Sequence, residues 1–260
     1  MKNTSYVFEC SNNSSVKLED DAADFEVSNV EERGLNIPGF NSDLAEFMGA
    51  LAGDGHLTDS HYTYRVEFTV NGREERHYAR FLAELSRKLF HTDLKIKSRG
   101  DGALRVILHS KKIHSFLSQY FPKGRKNSLK IPDWIDTEQK AAAYLRGLMD
   151  TDGSLFFAKR GTYEKNSYPV MEMKLHDKDY LDEIGILLNS LDLNYYRSSE
   201  IKFQMNGKDK LRNWMDKVGF SNPSKFSRYV LWRIQNYCPP DTTLDQRLTM
   251  IGEHSAGMAE

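Results

Sequence analysis

The 260-residue sequence has little that would assign it to a secreted or membrane-bound class. It contains only two cysteines, Cys10 and Cys238, which are too few for a disulfide framework and do not form a zinc-finger spacing. No apolar run approaches the roughly 18 residues needed to cross a bilayer. The N-terminus lacks the basic start and apolar run of a signal peptide. These absences predict an intracellular protein that does not enter a membrane.

Net charge is also almost absent, because 36 Lys and Arg oppose 37 Asp and Glu. A neutral average argues against a nucleic-acid partner, since phosphate binding requires a basic surface. The charge is unevenly distributed, however. Residues 1–43 hold three basic and nine acidic residues, whereas 87–130 hold twelve Lys and Arg against two Asp, and 197–233 hold nine against three acids. The sequence therefore predicts an acidic N-terminal extension, residues 1–40, and a body with two basic stretches that suit a nucleic-acid partner.

The body of the chain is duplicated. Residues 44–55 (LAEFMGALAGDG) resemble residues 142–153 (AAYLRGLMDTDG), and Asp54 and Asp152 stand 98 positions apart. Two further pairs of blocks recur in the same order: 77–94 with 179–193, and 110–121 with 208–220. Three blocks at nearly one offset indicate an internal repeat of about 100 residues. That period predicts two similar domains that form a pseudo-dimer within a monomer.

Each repeat predicts the element order α-β-β-α-β-β-α. Apolar residues recur at helical spacing from Leu44, after candidate caps at residues 41–43 with Glu46 placed for a capping box. The second such helix follows a cap at Asp136 or Thr137. Strict alternation marks a strand at 62–70 and another at 171–176. The later elements are predicted as helices at about 74–90 and 178–190, strands at 94–99, 103–109, 194–199 and 201–206, and final helices at 111–120 and 209–218. The predicted boundaries are 41–132 for the first repeat, 133–238 for the second, and 239–260 for a C-terminal tail.

The first helix of each repeat carries small residues four positions apart: Gly49 and Gly53 in one, Gly147 and Thr151 in the other. Such spacing lies on one helical face and allows two backbones to approach closely. Each helix ends in Asp-Gly, where glycine is expected as a left-handed C-cap. Face-to-face packing would bring Asp54 and Asp152 side by side. Crowded carboxylates beside main-chain carbonyls are hard oxygen ligands suited to Mg²⁺, and metal pairs of this type drive phosphodiester hydrolysis.

The segments Phe47–Gly55 and Leu145–Gly153 resemble the two signature helices of LAGLIDADG homing endonucleases in their single-chain, two-repeat form. The essential acid at the eighth motif position is Asp54 in one copy and Asp152 in the other. Ala52 departs from the acid found at the sixth position of some copies. The resemblance implies an α+β fold of two tandem αββαββα repeats related by pseudo-two-fold symmetry. Each repeat would have a saddle-shaped antiparallel sheet, and the repeats would pack through the two LAGLIDADG helices.

The resemblance, which extends to about residue 236, implies a site-specific DNA endonuclease that cuts both strands of a long double-stranded target. The implied cofactor is Mg²⁺, with Mn²⁺ as an alternative and Ca²⁺ as a non-productive substitute. The implied metal ligands are Asp54, Asp152 and the carbonyls of Gly53 and Thr151. The implied catalytic lysines are Lys111 and, after a one-residue shift in register, Lys208, with Lys210 as its neighbour. Residues implied to order water are Asn71 and His176.

The strand faces would form the DNA contact, because a two-stranded ribbon fits the major groove. The predicted contacts on the strands are Arg65, Glu67, Lys95, Lys97, Arg99, Lys174, Lys202 and Gln204. Phosphate contacts are predicted in residues 123–130 and 224–228, including Lys126 and Lys225. Simpler roles stay open for several of these residues: a phosphate contact for each catalytic lysine, a turn role for the two aspartates, and a sheet surface for His176.

Two other classes of function compete with the nuclease. One is a nucleic-acid binder of the same fold without cleavage, such as an intron RNA maturase or a regulator. Retention of both Asp54 and Asp152 favours the nuclease, because a protein that only binds does not need two crowded carboxylates. The other class is an intein, which fits poorly because the sequence starts with Met1 and ends without a terminal Asn. An intron-encoded, free-standing reading frame is expected instead.

Overall fold

The structure, a computed structural model, describes residues 6–9, 15–18, 36–60, 63–121, 128–160 and 165–257. The first repeat contains α1 (Ser42–Asp54), β3 (Gly55–Ser60), β4 (Thr63–Asn71), α2 (Arg76–Phe90), β5 (Lys95–Ser98), β6 (Ala103–His109) and α3 (Lys111–Leu117). The second contains α4 (Glu138–Thr151), β7 (Gly153–Ala158), β8 (Tyr168–Lys174), α5 (Lys178–Ser190), β9 (Tyr196–Ser199), β10 (Lys202–Asn206) and α6 (Lys208–Lys217). The predicted α-β-β-α-β-β-α order is therefore confirmed in both repeats.

Polar side chains fix where the long helices begin. Asn41 caps α1 by accepting the Leu44 N–H at 2.9 Å, and Thr137 caps α4 by accepting the Lys140 N–H. Each cap satisfies a backbone donor that the first helical turn leaves unpaired. The expected capping box does not form, because Glu46 is buried and its carboxylate instead accepts a hydrogen bond from Arg146 of α4 at 2.5 Å.

Two four-stranded antiparallel sheets share one topology, β3-β4-β6-β5 in the first repeat and β7-β8-β10-β9 in the second. The strand that follows each signature helix pairs in the same way, with Gly55 opposite Phe68 and Gly153 opposite Met173. Alternation sends one side of each strand into the core, where Val66 and Phe68 are fully buried. The opposite side of each sheet carries the polar residues.

A single hydrophobic core runs through both repeats, and the α1–α4 helix pair lies at its centre. Leu44, Phe47 and Met48 of α1 and Leu145 and Leu148 of α4 are completely buried. Each helix therefore packs against its own sheet and against the other helix. The pseudo-dimer predicted from the repeat is thus one continuous body.

Two further helices follow the αββαββα order. Helix α7 (Pro223–Gln235) lies in the last part of the predicted second repeat, and α8 (Leu244–Gly257), in the predicted C-terminal tail, packs against it. Arg247 of α8 is fully buried, and its guanidinium donates to Ser227 Oγ at 3.0 Å and to Glu74 of the first repeat at 2.9 Å. The C-terminal sequence is polar and weakly periodic, so it did not indicate the long-range ion pair between Arg247 and Glu74.

Within the acidic extension, β1 (Tyr6–Glu9) and β2 (Ser15–Leu18) form an antiparallel pair with Tyr6 opposite Leu18. Most of the remaining extension lies outside the described residues. In the part of the chain that is described, no helix has the length and hydropathy required to cross a membrane.

Candidate functional site

The two signature helices touch through their backbones at the positions where the sequence has glycine. A Cβ built at Gly49 would collide with the carbonyl of Tyr144, and one built at Gly147 would collide with the carbonyl of Glu46. One turn further on, a Cβ at Gly53 would overlap the Thr151 side chain and would lie 3.3 Å from the backbone nitrogen of Asp152. The helices therefore run in parallel and end together. This contact brings the two motif aspartates to the same end of the helix pair.

The glycines after the aspartates have a different role from the one predicted. Gly55 has φ −79° and ψ 157°, which is extended backbone, so the expected left-handed cap is wrong. A Cβ at Gly55 would overlap Leu51, and one at Gly153 would overlap Met149. Glycine is needed because each strand leaves its helix without a connecting loop and passes directly over the last helical turn.

Asp54 is half-buried as the last residue of α1, and Asp152 is exposed as the C-cap of α4. Burial lowers the pKa of Lys225, and the negative charges of Asp150, Glu75, Asp54 and Asp152 oppose that shift. The carbonyl ends of two parallel helices add partial negative charge at the same place. The site therefore concentrates oxygen atoms and negative charge, with one buried cation behind it.

This donor set fits a hard divalent cation, because carboxylate and main-chain carbonyl oxygens are the ligands that Mg²⁺ and related ions prefer. Over residues 36–60, 63–121, 128–160 and 165–257, no three or more His, Cys, Asp or Glu side chains are grouped to hold a metal ion. The oxygen atoms at this end of the helix pair that could hold such an ion are the Asp54 and Asp152 carboxylates and the carbonyls of Gly53 and Thr151. The Thr151 hydroxyl is already used, since it donates to the carbonyls of Gly147 and Leu148 at 3.0 Å.

Two of the predicted catalytic lysines begin the corresponding helices of the two repeats. Lys111 is the first residue of α3, directly after strand β6 and its Ser110 cap. Lys208 is the first residue of α6, directly after strand β10 and Gly207. The two lysines therefore occupy equivalent positions. Lys208 donates to Asn236 Oδ1 at 3.0 Å, while Lys210 lies with its ammonium 5.7 Å from the centre of the Tyr196 ring.

Asn71 and His176 also occupy equivalent positions, each three residues beyond the β-strand residue that pairs with the glycine after the aspartate. Asn71 Oδ1 accepts the N–H groups of Arg73 and Glu74 at 3.0 and 3.2 Å, so it closes the turn that leads to α2. His176 is exposed just past the end of β8. The predicted role of this pair in ordering water stays a prediction.

The outer face of the first sheet is strongly cationic. Ladder partners place Arg65, Glu67 and Arg105 beside Lys95 and Lys97 on one surface. Glu67 is only 6% exposed, accepts a hydrogen bond from Arg105 Nε at 2.6 Å and forms an ion pair with Arg65 Nε at 3.1 Å, so it holds two guanidinium groups in place. Glu67 therefore anchors two arginines of this face, and its predicted contact with DNA stays a prediction. Arg105, on the alternating strand β6, was not recognised in the sequence.

The cationic field of this face reaches His109, the last residue of β6. Burial lowers the pKa of His109, and the positive charges of Arg65, Lys95 and Lys97 lower it further. His109 lies opposite Arg65 in the ladder and shares its face. The pKa of the His109 imidazole therefore depends on the same positive potential that a polyanion would meet at this face.

The outer face of the second sheet is more polar and less charged. Lys202 pairs with Glu172 at 2.6 Å, and Gln204 Nε2 donates to the same carboxylate at 2.7 Å. The Tyr196 hydroxyl donates to Gln204, and Asn206 donates to Tyr196 at 2.5 Å. Lys174 lies opposite Lys202 in the ladder and is exposed. The sequence predicted Lys174, Lys202 and Gln204 on this face but missed Tyr196 and Asn206.

The predicted phosphate contacts that flank the core do not share one environment. The expectation for Lys225 is wrong, because this residue is buried in α7 and its ammonium donates to the carbonyl of Asp150 at 2.5 Å. Lys126 lies outside the described residues. Arg99 is exposed in the turn after β5 and pairs with Asp101 at 3.0 Å.

Asp150, at the sixth position of the second motif copy, is fully buried. Its Oδ2 accepts the N–H groups of Ser221 and Asn222 at 2.7 and 3.0 Å. Burial raises the pKa of Asp150 to about 7, and the charge of Lys225 opposes that rise. Asp150 therefore has a structural role, because its buried carboxylate connects α4 to the segment that begins α7.

Comparisons with known proteins agree with this architecture. The family model of the WhiA LAGLIDADG-like domain matches residues 45–123 and 141–204. A curated relative, the replication factor C small subunit of Methanocaldococcus jannaschii, is 27% identical over 208 residues. That match covers 75% of this chain, which spans only about a tenth of the relative's length.

Among solved structures, the K262A mutant of I-SmaMI aligns with a TM-score of 0.50 and 13% identity, covering 85% of this chain and 99% of that one. The homing endonuclease I-DmoI, crystallised with DNA and Ca, aligns with a TM-score of 0.45 and 17% identity, covering 85% and 99%. At these identities the likeness concerns the fold.

Proposed function

This chain belongs to the family of WhiA LAGLIDADG-like domains. Because each repeat also carries a motif aspartate, we propose that the protein binds double-stranded DNA and hydrolyses both strands at one long, specific site. The reaction class is metal-dependent phosphodiester hydrolysis. The proposed cofactor is Mg²⁺, with Mn²⁺ as an alternative and Ca²⁺ as a non-productive substitute.

The observation that carries the proposal is the pairing of Asp54 with Asp152. Each repeat contributes one carboxylate, and the glycine contacts between α1 and α4 bring both to one end of the helix pair. Like charges held close together destabilise a fold unless a cation compensates them. A protein that only binds DNA gains nothing from this arrangement, whereas one acid per repeat suits a reaction on each of two strands.

The side chains would divide the work as follows. Asp54, Asp152 and the carbonyls of Gly53 and Thr151 would hold the metal, which when bound neutralises charge on the attacking and leaving oxygens. Lys111 and Lys208, the first residues of α3 and α6, would each stabilise the charge that develops on one scissile phosphate. Asn71 and His176 would order water at the ends of β4 and β8.

The two sheets would lie along the DNA in adjacent parts of the major groove. Arginine, lysine and glutamine side chains on such a ribbon can hydrogen-bond base edges. Proposed base or phosphate contacts on the described strands and turns are Arg65, Lys95, Lys97, Arg99, Arg105, Lys174, Lys202 and Gln204. Since the two faces differ in charge and composition, the target should lack strict two-fold symmetry.

A second candidate function is nucleic-acid binding without cleavage, as a regulator on DNA or a maturase on intron RNA. The family model that matches this chain is the WhiA-like one, which favours keeping this alternative. Tight binding combined with an absence of metal-dependent cleavage would identify it.

The test is a cleavage-site selection. The protein is incubated with Mg²⁺ and a library of randomised or host-gene DNA targets, and the resulting ends are sequenced. We expect cleavage of one long sequence on both strands. Asp54→Asn and Asp152→Asn should each abolish double-strand cleavage and leave DNA affinity in Ca²⁺ unchanged, whereas Asp133→Asn, at an exposed position, should cut normally. Tight RNA binding without any DNA cleavage would overturn the nuclease proposal.

A further inference from the structure

We propose that Glu74 is a positioning residue for the reaction on one of the two DNA strands. Helix α8 holds the Glu74 side chain, and Glu74 in turn fixes the turn that carries Asn71. The contacts of Leu244, Asp245 and Arg247 with this region form what we call the α8 brace. The inference deepens the proposed function and rests on it in two respects, the cleavage of both strands and the role of Asn71 in ordering water.

Glu74 alone connects α8 to the side chain of Asn71. Its main-chain N–H donates to Asn71 Oδ1 at 3.2 Å, inside the turn between β4 and α2. Its carboxylate accepts the Leu244 N–H at 3.2 Å through Oε1 and the Arg247 guanidinium at 2.9 Å through Oε2. A displacement of α8 is therefore transmitted to Asn71 across a single residue.

The α8 brace combines a buried ion pair with an exposed one. Arg247 is fully buried, whereas the Glu74 side chain is 23% exposed, so solvent screens their attraction only in part. Asp245 accepts two hydrogen bonds from the guanidinium of Arg76, the first residue of α2, at 2.7 and 3.3 Å. Paired bonds of this kind fix the orientation of the two groups as well as their distance. Helix α8 therefore contacts the chain within the turn and again just after it.

The corresponding turn of the second repeat, which carries His176, is held by a different part of the chain. Asp177 Oδ2 accepts the Ser128 N–H at 2.8 Å. Three residues further on, the Ile131 N–H donates to Glu183 of α5 at 2.6 Å. Ser128 and Ile131 belong to the connection between the two repeats. The two turns therefore have separate supports, one from α8 and one from this connection.

Separate supports make the expected effect specific to one strand. Asn71 would order water for one scissile phosphate and His176 for the other. A group displaced by about 1 Å from its productive position slows a reaction by about 100-fold. Loosening the α8 brace should therefore slow one cut and leave the other unchanged, so that nicked DNA accumulates.

The test is single-turnover cleavage of the selected DNA target with a different dye on each strand. Glu74→Gln removes the carboxylate charge and keeps the size of the side chain. We expect this variant to slow cleavage of one strand by about 10-fold to 100-fold and to cut the other at the wild-type rate. Asp177→Asn, which removes the acceptor of the Ser128 N–H, should slow the opposite strand. Glu253→Gln, at an exposed position on α8, is the matched control and should cut both strands normally.

Asp245→Asn covers the case in which Glu74→Gln does not fold. The pair of Asp245 with Arg76 is largely exposed to solvent, so its loss should cost little stability. We expect a weaker slowing of the same strand. The proposal is overturned if the folded variants of the α8 brace slow both strands equally or neither, or if Asp177→Asn slows the same strand as they do.

Amide hydrogen exchange, followed by NMR, separates this inference from the nuclease proposal. The Glu74 N–H donates to Asn71 Oδ1 and the Glu75 N–H to the Asn71 carbonyl at 2.7 Å, so both should exchange faster in the brace variants. The Tyr180 N–H, which donates to Asp177, should exchange as in the wild type. Unchanged exchange in the first turn would refute the brace. A wild-type protein that cuts neither strand would refute the proposed function and the strand-specific role with it, while exchange would still decide whether α8 fixes the turn.

Discussion

Gly147→Ala should separate the two signature helices and damage both stability and activity. The added methyl would collide with the Glu46 carbonyl and would also lie 2.7 Å from the backbone nitrogen of Ala50. These are backbone atoms of α1, which cannot rotate away as a side chain can. Relief therefore requires the helices to move apart by about 1 Å, and overpacking of this kind costs about 1–3 kcal/mol.

A second effect opposes the cost of this clash, because alanine stabilises a helix by about 1 kcal/mol relative to glycine. We expect a net loss of up to about 2 kcal/mol in the free energy of unfolding, measured by urea denaturation. Cleavage should fall much further, by about 100-fold, since a shift of about 1 Å at a reacting group has that effect. Gly49→Ala, which meets the Tyr144 carbonyl from the opposite side, should behave in the same way.

Gly100→Ala is the matched control, because no atom lies within 4 Å of a Cβ built there. Its free energy of unfolding should stay within about 0.5 kcal/mol of the wild type. If Gly147→Ala is as stable and as active as Gly100→Ala, the helices do not touch through their backbones. The geometric basis for pairing the two aspartates would then be refuted.

Three further predictions concern the faces and supports of the site. The pKa of His109, measured by NMR, should rise in Lys95→Met and when DNA binds. Because burial and nearby cations lower this pKa in the folded protein, the free energy of unfolding of the wild type should fall as the pH falls through it, and that of the variant should fall less. Glu67→Gln should release two arginines, so non-specific DNA affinity should rise while the ratio of specific to non-specific binding falls; an unchanged ratio would contradict the anchoring role. Arg247→Met should cost about 3–5 kcal/mol, because it leaves a carboxylate without its buried partner, whereas the exposed Arg212→Met should be nearly neutral by the same denaturation assay.

The internal repeat made most of the fold predictable from the sequence. Helical spacing, strand alternation and two matching motifs predicted the element order, and helix α5 was predicted with its observed bounds. Local rules succeed here because each element is amphipathic and its caps are nearby in sequence. The same rules misjudged Gly55, since its role comes from the strand passing over a helical turn rather than from the backbone angle.

The charged residues divide in the same way. Period-two alternation was enough to place Lys95, Lys97 and Lys202 on outer sheet faces. It was not enough to show that Glu67 is an anchor for arginines or that Lys208 is equivalent to Lys111, because these facts depend on which strands lie side by side. Ladder register and helix starts are properties of the assembled sheet.

The sequence alone determined that this protein has two similar halves, each with an aspartate at the end of a glycine-bearing helix. Only the tertiary structure decided that Lys225 faces inward beneath that pair and that residues 244–257 form a helix joined to the first repeat. The physical reason is the distance along the chain over which each kind of interaction acts. Periodicity and capping are set within a few residues, whereas a buried charge is stable only where distant carboxylates and carbonyls converge on it.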